Sequence, residues 1–238
     1  MTVLGVIPAR LAATRLPNKP LLDIAGKPMI RHVWERACRS LIPGEIVVAT
    51  PDPEIERVCL GFGARVVMTR ADHPSGTDRI AEVTEKIPCD VIVNIQGDEP
   101  MLDPSVIDMA ARAVLEDGSV QMASLMCPCP PEDLDNPACV KVVCDLNGYA
   151  LYFSRSRVPF PRNDAAAPVM QHVGLYAYRS EFVRRFAGLP PTPLERTEGL
   201  EQLRALESGC RIRMVATENA PISVDTEDDL RRVRQMMG

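Results

Sequence analysis

What most constrains the fold of this chain is an alternation of two hydrophobic periods over its first half. Nearly continuous apolar runs, "TVLGVI" at 2–7, "EIVVAT" at 45–50, "ARVVMT" at 64–69 and "DVIVNIQG" at 90–97, have the length and β-branched content of fully buried strands. Between them lie segments with apolar residues every three or four positions: 27–41, 53–63, 76–87 and 103–117. These read as amphipathic helices, with Pro28 suited to a first helical turn and Asp103 to an N-cap. Short buried strands joined by helices predict an α/β architecture, a mostly parallel sheet in three layers with helices on both faces. Such sheets bind ligands at the carboxyl ends of their strands. The segments after the first and fourth strands therefore fall on the binding edge.

The texture changes after Ser119. "CPCPPEDLDNPA" at 127–138 reads as a proline-rich loop. "VKVVCDLNGYALYFSR" at 140–155 reads as two strands joined at "LNG", and "HVGLYAYR" at 172–179 as another strand. Residues 180–189, 194–208 and 225–237 read as helices, the last capped by Asp225 or Thr226, and 210–217 as a strand. The whole chain of 238 residues reads as one α/β unit, with 127–171 as an excursion from the main sheet.

Composition narrows the function. A net charge of −5 argues against a general nucleic-acid binder. No apolar run reaches the length of a membrane span, and the N-terminus lacks a signal-peptide pattern, so a cytoplasmic location is expected. The eight cysteines include no C-x-x-C pair and match no ordinary zinc module; small reduced core residues are the expected role.

The opening loop, "IPARLAATRLPNKPL" at 7–21, places Arg10, Arg15 and Lys19 within ten residues. Guanidinium forks match phosphate oxygens, Thr14 adds a hydroxyl, and small Ala9, Ala12 and Ala13 let backbone N–H groups approach a polyphosphate. Pro17 and Pro20 restrict the turn that carries Lys19. The loop contains neither a Walker motif nor G-x-G-x-x-G. A solvated turn with cations paired to surface carboxylates is the structural alternative. In "NIQGDEP" at 94–100, Gly97 interrupts the strand, so that Asp98 and Glu99 emerge at its end; a carboxylate facing a triphosphate loop suits Mg²⁺. "SVDTEDDL" at 223–230 offers Asp225, which is either a second metal ligand or a helix cap.

Together "PARLAATRLPNKPLLDIAGKPMI", "HPSGTDRIAEV", "VNIQGDEPML", "ALYFSRSRVPFPR", "QHVGLYAYR", "LEQLRALESG" and "SVDTEDDL" resemble the 3-deoxy-manno-octulosonate (Kdo) cytidylyltransferases of lipopolysaccharide assembly, over nearly the whole chain. The resemblance implies a magnesium-dependent homodimer that converts CTP and Kdo to CMP-Kdo and pyrophosphate. It assigns the triphosphate to Arg10 and Lys19, with Arg15 nearby, and the cytidine side to Ser75, Gly76, Arg79 and Gln96. It assigns magnesium to Asp98 and Asp225. The sugar falls to Gln96, Arg155, Arg162, His172, Tyr176, Glu201 and Gln202, with Arg162 as the carboxylate partner. Three positions depart from the family pattern: Ala13 for a serine, Asn18 for a glycine and Ser223 for a frequent glycine. Asn18 suits the left-handed backbone of such a turn. Two other readings stand beside this one: a cytidylyltransferase for a related acid sugar (8-amino-Kdo or sialic acid), and a nucleotide-binding regulator without turnover.

Overall fold

A computed structural model describes residues 1–12, 16–163, 167–218 and 220–238. Thr14, Arg15 and the departure Ala13 lie outside the described residues.

The parallel part of the sheet follows the predicted alternation. Strands β1 (Val3–Pro8), β4 (Glu45–Thr50), β5 (Arg65–Met68) and β6 (Val91–Asn94) are joined through helices α1 (Met29–Ala37), α2 (Pro53–Gly61) and α3 (Gly76–Lys86). A two-residue ribbon, β2 (Asp23–Ile24) and β3 (Lys27–Pro28), precedes α1. Pro28 ends that ribbon and serves as the N-cap of α1 rather than its first turn, because its ψ of 144° is extended. Helix α4 (Pro104–Leu115) starts as expected, with the Asp103 carboxylate accepting from the Ser105 N–H at 2.9 Å.

The second half completes the sheet with β7 (Met122–Pro128), β8 (Lys141–Cys144), β9 (Ala150–Ser154), β10 (Met170–Arg179) and β11 (Ile212–Ala216). The strand order is β11-β7-β10-β6-β1-β4-β5, with β8 paired to β10 and β9 to β8. Strand β10 runs antiparallel to both β6 and β7, and the pairs β1–β4, β1–β6, β4–β5 and β7–β11 are parallel. Strand β7 corrects the sequence reading: 127–138 is not all loop, since Cys127 and Pro128 belong to a strand. The helical stretch 194–208 divides into α6 (Pro193–Glu198) and α7 (Gln202–Glu207), because Gly199 adopts a left-handed φ of 63°. Helices α5 (Ser180–Ala187) and α8 (Glu227–Met237) match the expected positions.

Two apolar layers sandwich the sheet. One packs Ile30 and Val33 of α1, Ile55 of α2 and Val106 and Ile107 of α4 on Ile7, Val48 and Val93. The other packs Ile80 and Val83 of α3, Phe182 and Phe186 of α5 and Leu203 of α7 on Leu4, Val6, Val47 and Ile92. Alternate side chains of each strand serve opposite faces, and burying both is what makes these strands apolar throughout. A third, smaller cluster joins Leu16, Ile24 and Met29 to Val224, Leu230 and Val233. It docks α8 against the opening loop and so fixes what stands at the edge of the sheet.

Candidate active site

Where β1 and β6 end, the chain lines a cavity of about 380 Å³ with Pro8, Ala9, Arg10, Lys19, Ser75, Gly76, Arg79, Gln96, Gly97, Asp98 and Asp225 among its walls. The volume is in the range of small-molecule sites. Three sequence-distant segments converge there, each by a local device. The β1 exit is tied down by the Ala9 N–H to the Ala49 carbonyl at 2.9 Å and by the Leu11 N–H to the Asp52 carboxylate at 2.8 Å. Asn18 takes φ 55° and ψ 25°, the left-handed conformation expected for it, and opens a single 3-10 turn, Lys19–Leu21. The Leu21 N–H closes that turn on the Asn18 carbonyl at 2.8 Å. Gly97 lets the β6 exit press against β1: a Cβ there would stand 3.1 Å from the Pro8 carbonyl oxygen.

The third segment arrives with the C-terminal helix. The Val224 N–H donates to the Asp98 carbonyl at 2.9 Å, setting Asp225 beside the β6 exit. The helix cap is Thr226, in a reciprocal capping box with Asp229, so Asp225 is not the cap. Its carboxylate and that of Asp98 both accept hydrogen bonds from one ammonium: Lys19 Nζ lies 2.6 Å from Asp98 Oδ2 and 2.9 Å from Asp225 Oδ1. Burial alone would lower the Lys19 pKa, but Asp98 and then Asp225 outweigh it and the net direction is upward. Lys19 is therefore cationic at every physiological pH.

Two guanidinium groups, those of Arg10 and Arg79, line the same cavity. Arg79 is buried, donating to the Thr69 hydroxyl and to the Arg70 carbonyl at 3.0 Å. Its pKa is lowered first by burial and then by the charge of Arg10. Two mutually repelling cations in one cavity make a site for an anion. Ser75 and Gly76 open α3 at the same wall, and Ser75 is held in a capping box by Asp78. Ser75 thus already has a structural task, while its backbone and Gly76 present a helix N-terminus to the cavity.

Glu99, adjacent to Asp98, turns the other way. It is only 4% exposed, and its Oε2 has no hydrogen-bond partner among the described residues. Burial first, then the charge of Asp98, pushes its pKa up to about 8, with the Ser223 hydroxyl pulling the other way. The sequence pairs Asp98 and Glu99 as like residues in one turn. Only the fold makes one a half-buried partner of Lys19 and the other a buried acid.

Of the residues assigned to the sugar, Gln96 stands among the cavity walls and links them to β10, where its amide Nε2 donates to the Gly174 carbonyl at 2.6 Å. His172 and Tyr176 flank Gly174, their rings 5.3 Å apart. Burial drives the His172 pKa down to about 3, so its ring is neutral. Glu201 accepts from the Thr77 hydroxyl and from Arg204, and Gln202 is buried at the start of α7. Arg155 spends its guanidinium on the carbonyls of Glu198, Pro137 and Gly199. Arg162 is exposed, just before the undescribed 164–166.

Comparison with known proteins fits this arrangement. Residues 4–212 match the cytidylyltransferase family. A 3-deoxy-manno-octulosonate cytidylyltransferase of Geobacter sulfurreducens is 50% identical, covering 100% of both chains. The chain belongs to this cytidylyltransferase family. The enzyme of the same name from Pseudomonas fluorescens is 50% identical over 98% of this chain and 97% of its own. A solved structure of CMP:2-keto-3-deoxy-manno-octonic acid synthetase complexed with CTP superimposes with a TM-score of 0.97 at 43% identity, covering 100% of this chain and 98% of that one. The family's α/β nucleotidyltransferase fold is thus the fold described above.

What the sequence reading did not single out in this candidate site is Ser124, and it expected Glu99 to emerge with Asp98, where the fold instead buries it. Glu99 was visible as an acid in "QGDEP", but nothing local marks it as buried. Ser124 sits in β7, the strand the proline-rich texture concealed.

Proposed function

We propose that this chain transfers CMP from CTP to the anomeric hydroxyl of Kdo, releasing pyrophosphate, as a step in lipopolysaccharide assembly. The observation that carries the reading is the convergence of Asp98 and Asp225 on Lys19 in a cavity that Arg10 and Arg79 also line. Two carboxylates and three cations at one sheet edge suit a metal-bound triphosphate and little else. The names borne by a relative 50% identical and a solved structure 43% identical support CTP and Kdo as the substrates.

Magnesium fits the residues present. Asp98 and Asp225 would hold it, and no third His, Cys, Asp or Glu completes a cage among the described residues. Water and phosphate oxygens would fill the octahedron, as Mg²⁺ prefers, and its charge would offset that of the phosphates. The protein's own work is positional. With Arg79 on the cytidine side, Arg10 and Lys19 orient the triphosphate so that the sugar hydroxyl attacks the α-phosphorus in line with departing pyrophosphate. They also stabilise charge on the leaving group. No side chain stands out as a general base. Arg162 is assigned the sugar carboxylate, whose two oxygens a guanidinium grips bidentately.

The working unit in this reading is a cytoplasmic homodimer. Leu146, Leu151 and Phe160, all large apolar side chains exposed to solvent, lie within 127–171 and supply surface for a second copy to cover. No helix among the described residues is long and apolar enough to cross a membrane.

Pyrophosphate release tests the reading directly. CTP with Kdo should support turnover, UTP should serve poorly, and 8-amino-Kdo or sialic acid should turn over more slowly than Kdo. Cytosine offers an amino donor where uracil has an acceptor, so a site built for one leaves polar groups unpaired with the other. Equal turnover of CTP, UTP and ATP, or none with any acid sugar, would overturn it.

A further inference from the structure

Strand β10 breaks register with β7 between Val173 and Tyr176, so that Gly174 and Leu175 stand where β7 has no partner for them. Such a bulge removes ladder hydrogen bonds from the backbone groups in it. Here the three carbonyls of the bulge are each met by a side chain. Ser124 Oγ lies 3.1 Å from the Val173 carbonyl and 2.9 Å from that of Leu175. The Gly174 carbonyl accepts from Gln96 Nε2. Ser124 is fully buried, and its oxygen also stands 2.9 Å from His172 Nε2.

Those distances fix proton positions. A hydroxyl has one proton, and two carbonyl oxygens at hydrogen-bond distance from Oγ require that proton to lie toward them. Ser124 is then an acceptor toward His172, and His172 carries its own proton on Nε2. Its Nδ1 keeps the lone pair. The same reasoning fixes Gln96. A flipped amide would put its oxygen 2.6 Å from the Gly174 oxygen, so Nε2 faces the bulge and Oε1 is the atom left to the cavity that Gln96 lines.

We propose that Ser124 is a positioning residue for the sugar: by holding the β10 bulge it fixes two acceptors, Gln96 Oε1 and His172 Nδ1, toward donor hydroxyl groups of a polyhydroxylated substrate. The proposal rests on the reading above that Gln96 and His172 serve the sugar side. Tyr176, one residue beyond the bulge, is placed by the same contacts. Ser124 touches neither substrate in this account; it acts through the backbone of β10 and through one imidazole.

Two measurements test it. Nitrogen-15 NMR of histidine-labelled protein has only three rings to resolve, His32, His73 and His172. In the wild type near pH 7 the His172 ring should be the Nε2–H tautomer alone. In Ser124→Ala it should become a mixture, and in Ser124→Cys, which keeps a weaker donor, it should shift less. The second measurement is steady-state kinetics. Loss of one or two buried neutral hydrogen bonds predicts an increase of about tenfold in the KM for Kdo, with the KM for CTP within about twofold. Wild-type His172 as the Nδ1–H tautomer overturns the proposal without any variant, even if Ser124→Ala does not fold. So does a folded Ser124→Ala with unchanged tautomer and unchanged sugar KM. Parallel increases in both KM values with a lowered Tm make Ser124 structural and overturn it as well. Failure of the wild type to form any CMP-sugar defeats the functional reading instead, and the tautomer still decides the role of Ser124.

Discussion

Replacing Glu99 by Gln should make the protein more stable, and increasingly so as pH rises. Glu99 is 4% exposed, has one oxygen without a partner among the described residues, and lies beside the carboxylate of Asp98. Burial, then repulsion by Asp98, raises its pKa from 4.5 to about 8 in the folded chain. Between those values the folded state holds a proton that the unfolded state has released. The unfolded state binds fewer protons there, so stability falls as pH increases. At 1.36 kcal/mol per pH unit, the full shift has a ceiling of about 5 kcal/mol, reached above pH 8. The change between pH 5 and pH 8 is about 3.5 kcal/mol on the same basis. Glutamine has the shape of the protonated acid and cannot ionise, so this pH-dependent loss disappears in Glu99→Gln. Urea unfolding of both proteins in chelator at pH 5, 6, 7 and 8 measures the difference, in which all other titrating groups cancel. The gap should widen steadily in favour of Gln. Saturating Mg²⁺ should narrow it, because a cation between Asp98 and Asp225 would stabilise the Glu99 anion. Two parallel stability profiles would refute the reasoning, and a gap that closes with increasing pH would reverse its sign.

Three further outcomes are expected. Asp225→Asn should lower kcat by about 100-fold or more while the protein stays folded; Thr226→Ala, which removes the true cap, should cost about 1 kcal/mol of stability and leave kcat nearly intact. The pair separates metal ligand from cap, and the opposite pattern would return Asp225 to a structural role. Lys19→Met should bind Mn²⁺ at least about tenfold more tightly than the wild type without nucleotide, measured by electron paramagnetic resonance, because two charge-assisted hydrogen bonds no longer compete for Asp98 and Asp225. Equal affinities would show that the ammonium is no competitor. Arg162→Ala should raise the KM for Kdo far more than that for CTP; if both move alike, Arg162 is structural and Arg155 or Arg157 becomes the candidate.

The fold of the first half was legible because its information is local. In a strand buried on both faces almost every residue must be apolar, and a helix on its surface must show a 3.6-residue stripe, so β1, α1, β4, α2, β5, α3, β6 and α4 can each be read without the others. The turn at Lys19 was legible for a similar reason, since Asn18 tolerates positive φ and two prolines limit the alternatives. Strand β7 was not. Its sequence "MASLMCP" runs into a proline-rich loop, and what makes it a strand is pairing with β10 and β11, which lie far along the chain.

By itself the sequence determined which residue types were on hand for phosphate and metal: Arg10 and Lys19 after one strand, Asp98 after another, Asp225 before the last helix. Tertiary structure alone decided which of them meet. Asp98 and Asp225 share the Lys19 ammonium because the cluster of Leu16, Ile24, Met29, Val224, Leu230 and Val233 docks α8 on the opening loop. It also decided that Asp98 faces the cavity while Glu99 is buried, and that Ser124 meets the bulge of β10. Periodicity records whether a residue is buried in its own element. Which partner it meets there depends on crossovers and packing between segments that share no local signal, and that is settled only when the layers close.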